Sequence, residues 1–200
     1  MGDIKSAFEI AMEKANKIES ATPEEKLKWK FMPLGEQLAA KYLKDDINLL
    51  AETSKYKDEE RRYVIQGAVG VLARGIDLPK NEGIKRTTRK AMEGIKLLKN
   101  DKTKVEAVYS KIRYILTHYS NEGEQQKKQA FEQVKIQFTA KLKQAVQQQQ
   151  RAGGAQVDIS NIDIERHPQF QEEWRRVLAQ MDMQYLEHLN ENRRELMELS

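Results

Sequence analysis

Apolar residues recur every three or four positions along most of this chain of 200 residues. That spacing places them on one face of an α-helix, so each stripe predicts an amphipathic helix that packs its apolar face against a neighbour. We therefore expect an all-α fold, with a multi-helix bundle followed by a long C-terminal helical hairpin. The stripes cover residues 4–18, 27–49, 84–98, 105–119, 131–146 and 170–199.

Local signals set the limits of the early helices. Thr22 followed by Pro23 and Glu25 predicts a helix start, because threonine caps the first amides, proline suits the first turn and glutamate completes a capping box. The stripe at 27–49 passes through Pro33, which lacks an amide donor and clashes with the carbonyl four residues back. We expect a kink or a break near residues 29–33.

The segment at 63–73, YVIQGAVGVLA, is apolar on every face, as a central buried helix would be. Gly67 and Gly70 each weaken a helix by about 1 kcal/mol relative to alanine, so we expect them to allow close approach of a neighbouring helix. A pair of short buried strands is the alternative. The DEERR run at 58–62 and Gly75 favour the helix, because they suit an exposed first turn and a C-terminal stop.

The chain divides near its middle into two predicted regions. We expect a helical bundle over residues 1–119 and a long antiparallel helical hairpin over residues 120–200. A linker near 151–167 joins the two long helices of the hairpin, since Gly153-Gly154 interrupts the helical pattern. Within it, apolar and polar residues alternate over 157–164, which indicates an extended chain along a groove or a short strand.

The last helix carries an apolar seam about 30 residues long. Such a seam pairs with the helix at 121–150, with a second copy in a coiled-coil arrangement, or with a partner helix. We expect a homo-oligomer, most simply a dimer. Trp29, which lies between Lys28 and Lys30, packs within the chain or its oligomer, or is an exposed anchor for a protein partner. Besides Trp29, the candidate interface residues are Trp174, Leu178, Met181, Tyr185 and Leu189.

Positive charge is concentrated at residues 80–119, which carry a net charge of +7 although the whole chain has only +4. Helical spacing places four basic side chains opposite the apolar stripe, as in a footprint for a polyanion. The alternative is a solvated helix face whose cations pair with acidic runs of this chain. The candidate nucleic-acid contacts are Lys85, Arg86, Arg89 and Lys90, with Thr87 and Thr88 as further contacts to the backbone.

Known chemical motifs are missing from the sequence. It has no apolar run long enough to span a membrane, no visible secretory signal and no cysteine, so we expect a cytoplasmic location. The three histidines, His118, His167 and His188, lack the spacing of metal ligands, and no phosphate-binding loop or nucleophile motif occurs. We expect no metal, no cofactor and no catalytic residue, although an enzyme site assembled from scattered Glu, Tyr and Arg residues is a third hypothesis.

Three segments carry a resemblance to other proteins: DIKSAFEIAMEKANKI, GEQLAAKYLKDD and GEQQKKQAFEQVK. Together they resemble a group of uncharacterised conserved bacterial proteins, over most of the chain. The resemblance implies no activity, cofactor or partner.

The sequence thus favours a non-enzymatic, cytoplasmic helical scaffold or interaction protein. It would act through oligomerisation or through binding of a partner helix. The alternative function is binding of RNA or DNA through the basic helical hairpin at 80–119.

Overall fold

A computed structural model describes residues 6, 21–151 and 162–199 of the chain. The described residues form helices and connecting turns without a strand, which confirms the all-α class. The first helices are α1 (Pro23–Lys44), α2 (Leu49–Thr53), α3 (Asp58–Arg74) and α4 (Glu82–Leu98). The later ones are α5 (Lys102–His118), a π-helical turn (Tyr119–Gly123), α6 (Glu124–Arg151) and α7 (Pro168–Glu198).

Three sequence predictions concern other residues. The stripe at 4–18 and the Gly153-Gly154 linker lie outside the described residues. Of the alternating segment at 157–164, only residues 162–164 are described, and they form no strand.

Helix α1 begins at the predicted capping box. The Glu25 amide donates to Thr22 Oγ1 at 3.2 Å, and the Thr22 amide donates to Glu25 Oε2 at 2.9 Å. The helix then continues through Pro33 to Lys44, so of the two expected outcomes, a kink or a break, the break does not occur. Pro33 is exposed, and so is Trp29, whose carbonyl it leaves without a donor.

Helices α1 and α3 pack closely at two glycines. A Cβ atom on Gly35 would overlap the carbonyl oxygen of Val64, and one on Gly67 would overlap that of Met32. The prediction of a buried helix with close approach at Gly67 is therefore confirmed. At Gly70 the described residues show no such approach, since the nearest of them to a Cβ there is the Arg74 side chain at 3.9 Å.

The chain forms two compact units. Among the described residues, the first unit comprises 6, 21–77, 81–109 and 193–199, and the second comprises 78–80, 110–151 and 162–192. Helices α5 and α7 contribute residues to both.

In the first unit, two side chains hold the turn that follows α3. Arg193 donates through Nε to the carbonyl oxygen of Ile76 at 2.8 Å. The hydroxyl of the buried Thr88 accepts from the Asp77 amide at 3.0 Å and donates to the Asp77 carbonyl at 3.2 Å. Residues from α4 and from the end of α7 therefore fix the same short loop.

The second unit contains α6 and most of α7. Phe138 packs against Phe170 with ring centroids 5.7 Å apart, and Phe131 packs against Trp174 at 5.2 Å. The residue number in α6 falls from 138 to 131 as the residue number of its partner in α7 rises from 170 to 174, so the two helices are antiparallel. Their aromatic residues form the core at this end of the unit.

Candidate functional site

An incompletely covered apolar face on α7 is the first candidate surface. Trp174, Leu178, Met181 and Tyr185 are half-buried, although the side chain of Leu189 is completely buried. Leu189 therefore packs inside the chain, and the exposed part of the seam lies between residues 174 and 185. We call these four half-buried residues the α7 seam.

A polar network lies beside the α7 seam, at the π-helical turn. Tyr119 is only 2% exposed, and its hydroxyl donates to Asp182 Oδ1 at 2.9 Å. Lys127 Nζ donates to the same hydroxyl at 2.7 Å and lies 3.9 Å from the centroid of the Tyr119 ring. Lys80 Nζ forms an ion pair with Asp182 Oδ2 at 2.6 Å. Two lysines thus compensate one largely buried carboxylate.

His118 extends this network toward solvent. Its Nε2 lies 2.6 Å from Glu122 Oε2, and its Nδ1 lies 3.0 Å from the hydroxyl of Tyr185. The ring of Tyr185 also packs edge-on against that of Tyr119, at 5.1 Å. Tyr185, a candidate interface residue from the sequence, therefore has polar and aromatic partners within its own unit.

The electrostatics of this cluster keep both phenols protonated. Burial raises the pKa of Tyr119, and the hydrogen bond to the Asp182 carboxylate raises it further. Burial likewise raises the pKa of Tyr185. An activated nucleophile needs the opposite shift, so the arrangement suits a structural network that locks α7 against the π-helical turn.

One residue in the sequence indicates this network, although the spacing of the apolar residues alone does not show it. Asp182 lies directly after Met181 and three positions before Tyr185, so a carboxylate occupies the apolar face of α7. Such a residue requires a partner of opposite charge. The apolar periodicity places Tyr119 at the end of one stripe, and it predicts that the next helix begins at residue 121, which is Asn121. In the structure, both belong to the π-helical turn.

The basic residues of α4 differ in their surroundings. Lys85 pairs with Glu82 at 2.7 Å, and Lys90 pairs with Asp46 at 2.6 Å. Lys90 Nζ also lies 5.3 Å from the centroid of the Tyr42 ring.

The two arginines of this group, Arg86 and Arg89, are exposed and line a surface cavity of about 440 Å³. The Thr88 hydroxyl, which the sequence placed among the phosphate contacts, is buried in its bonds to Asp77. The basic surface is thus centred on the two arginines, and the lysines on either side have acidic partners.

The remaining candidate, Trp29, keeps 43% of its surface exposed on α1.

Among the described helices, none is long and apolar enough to cross a membrane. In the same part of the chain, no group of three or more His, Asp or Glu side chains is placed to hold a metal ion.

Comparison of the sequence with known protein families finds a match that covers most of the chain. The model of a family of unknown function (DUF6657) matches residues 50–198. The chain belongs to this family. No curated protein and no solved structure matches it.

The DUF6657 match contains most of the features described above. It covers the basic residues of α4, the π-helical turn and the whole α7 seam. Trp29 lies outside it, and so do the capping box of α1 and Gly35. The family assignment confirms the resemblance to uncharacterised conserved proteins and assigns no activity.

Proposed function

We propose that this chain is a helical interaction protein that forms a homodimer through the α7 seam. The observation that carries the proposal is the half-buried state of Trp174, Leu178 and Met181. In a two-helix hairpin each helix covers only one side of the other, so side chains on the flank stay partly in water. A further helix packed on that flank would bury them.

A second copy is the simplest source of that helix. A two-fold axis uses the same patch twice, so each half-buried residue contributes to the interface in both chains. Tryptophan is among the residues that carry most of the binding energy at interfaces, and methionine is enriched there. Trp174 and Met181 are of these types.

The test is the native mass of the full chain, measured by light scattering after size exclusion. We expect twice the chain mass of 23.3 kDa. Met181→Asp and Leu178→Asp each place a charge in the dimer interface, so both variants are expected to elute as folded monomers.

Met183→Asp is the matched control for this experiment. Met183 is on the same helix, two residues from Met181, and is 62% exposed. It points away from the α7 seam, so the variant is expected to remain a dimer. A wild-type monomer, or a folded Met181→Asp dimer, would remove the proposal.

A second candidate function is binding of RNA or DNA through Arg86 and Arg89. It is supported by the exposure of both arginines beside one cavity. Two phosphate contacts would make the affinity for a mixed-sequence oligonucleotide fall as salt increases. Equal affinity at about 50 and about 500 mM NaCl would exclude electrostatic binding.

Fluorescence anisotropy with a double variant measures the contribution of this surface. Arg86→Glu combined with Arg89→Glu is expected to abolish binding. Arg175→Glu combined with Arg176→Glu is the control, because these arginines are exposed on α7 and the net charge changes equally. If both double variants lose binding to the same extent, the α4 surface has no specific role.

A further inference from the structure

A groove of about 960 Å³ opens in the first unit, and its described lining residues include none of Lys85, Arg86, Arg89 and Lys90. Its walls are α2, the first turns of α3, the connection between α4 and α5, and the last residues of α7. The volume is at the upper end of the range for small-molecule sites.

An arginine on the wall of this groove has an unused donor. Arg61 Nε is buried, and among the described residues it has no hydrogen-bond partner. A buried donor without a partner destabilises the protein unless a ligand or water accepts from it. Because the donors of a guanidinium form a planar fork that matches two oxygens of a carboxylate or phosphate, Arg61 suits an oxyanion.

Two lysines add positive charge beside Arg61. Lys99 is 7% exposed and donates to the main-chain carbonyls of Met197 and Leu199. Lys102 donates to two carbonyls in the last turn of α4 and, at 2.6 Å, to that of Lys99, the residue that follows the helix. Carbonyl oxygens satisfy the hydrogen bonds of both ammonium groups without neutralising their charge, and burial lowers the pKa of Lys99.

The balance of charge in the groove is positive. Arg62 also lines it, and the acidic residues among its described lining are Asp58 and Glu198. Four cationic side chains therefore face two carboxylates, which leaves a net charge of +2. A concave surface with this excess attracts anions.

The groove also has an apolar side. Leu50 is 39% exposed, Leu97 is 43% exposed and Met197 is 39% exposed, and all three line the groove. A ligand with an alkyl tail would remove these side chains from water, at about 25 cal/mol for each Å² of apolar surface covered.

We propose that this groove binds a small amphiphilic anion, with its carboxylate or phosphate head on Arg61 and its alkyl tail over Leu50, Leu97 and Met197. The proposal rests on residues that the proposed dimer interface does not use. It therefore stands or falls independently of the α7 seam.

The experiment is calorimetric titration of the full chain with decanoate, decyl phosphate, decanol and inorganic phosphate. We expect both amphiphilic anions to bind, and the tighter one identifies the head group. Decanol lacks the charge and inorganic phosphate lacks the tail, so each is expected to bind at least about tenfold more weakly. Failure of both anions to bind, or equal affinity for decanol, overturns the proposal.

Variants locate the site. Arg61→Gln removes the fork and is expected to weaken binding of the anion by about tenfold. Arg74→Gln is the matched control, because this residue is also on α3, has a side chain 65% exposed and lies outside the groove. Equal affinities of the two variants would contradict a site at Arg61.

A second variant tests the same site if Arg61→Gln does not fold. Leu97→Asp changes a residue that is already 43% exposed, so the fold should tolerate it. The new carboxylate would repel the anion and remove part of the contact with its tail, and we expect binding to weaken by about tenfold or more. Unchanged affinity in the folded Leu97→Asp variant would also overturn the proposal.

Discussion

The Tyr119 hydroxyl occupies the centre of the polar network in the second unit. It joins Asp182 to Lys127, and its ring lies almost completely out of water. Phenylalanine in its place would keep the ring and leave a carboxylate and an ammonium each short of one partner. In a buried site, loss of one partner is more harmful than loss of the whole pair.

Tyr119→Phe is therefore expected to reduce the free energy of unfolding by about 1–3 kcal/mol. Urea denaturation followed by circular dichroism measures the difference. Tyr114→Phe is the control, because Tyr114 is 71% exposed, and it should stay within about 0.5 kcal/mol of the wild type. Equal effects of the two substitutions would mean that the network contributes no stability.

The same residue predicts an alkaline pH dependence. Burial, followed by the hydrogen bond to Asp182, raises the pKa of Tyr119 above the ordinary value of 10.0. The native state then holds this proton more tightly than the unfolded chain does. The resulting stabilisation is complete below pH 10.0 and is lost as the pH rises above it.

Tyr119→Phe lacks this ionisation, so its stability should fall less steeply in alkali. The difference in unfolding free energy between wild type and variant is expected to narrow from about pH 8 to about pH 11. Urea titrations of both proteins at the two pH values test this. A difference that stays constant would show that Tyr119 titrates alike in both states.

At the scale of elements, the contact between α1 and α3 depends on two glycines. An added methyl group on Gly67 would overlap main-chain atoms of α1, which cannot move aside as a side-chain end can. Gly67→Ala is expected to lower the free energy of unfolding by about 1–3 kcal/mol, as overpacking does. Thermal and urea denaturation of the full chain measure it.

Gly70 supplies the control within the same helix. No described atom of a neighbouring helix lies within 3.9 Å of a Cβ atom placed on it, so Gly70→Ala should gain helix propensity, by up to about 1 kcal/mol. Opposite signs for the two substitutions are the expected result. If both destabilise the chain equally, the close approach of α1 is not what requires glycine at position 67.

The elements were predictable where each depends on its own neighbours in sequence. The capping box at Thr22, the buried character of α3 and the long α7 are all local patterns, and all are present in the structure. Continuity through Pro33 was not predictable, because it depends on which side of α1 faces water. Local rules describe the cost of proline without showing where the freed carbonyl lies.

The polar network was not predictable because its partners are far apart in sequence. Tyr119 and Asp182 are separated by 63 residues, and a periodicity analysis treats one helix at a time. The π-helical turn adds to the difficulty, since a single wide turn has no repeating pattern. The groove residues Arg61, Lys99 and Met197 are likewise brought together only by the packing of three separate segments.

At the scale of the whole molecule, a third of the residues are charged and only 39% are hydrophobic. Many ion pairs are on the surface, such as Lys96 with Glu106 and Lys141 with Glu173. Exposed pairs of this kind contribute about 0–1 kcal/mol each. Burial of apolar surface therefore has to supply most of the stability. The apolar side chains of the α7 seam contribute only part of their surface to this burial in the single chain, because they stay half exposed.

If a second copy covers that seam, stability depends on protein concentration. A hundredfold increase in concentration adds about 2.7 kcal/mol per dimer, or about half of that per chain, to the free energy of unfolding. For a chain of this size, this corresponds to a rise in Tm of roughly 3–5 °C between about 2 and about 200 µM.

Calorimetry over this concentration range measures the shift. Met181→Asp should have a lower Tm that does not change with concentration, and Met183→Asp should behave as the wild type does. A constant Tm in all three proteins would mean that no second copy covers the α7 seam in the native state. The half-exposed apolar face would then belong to a monomer, and a different protein would be the partner to seek.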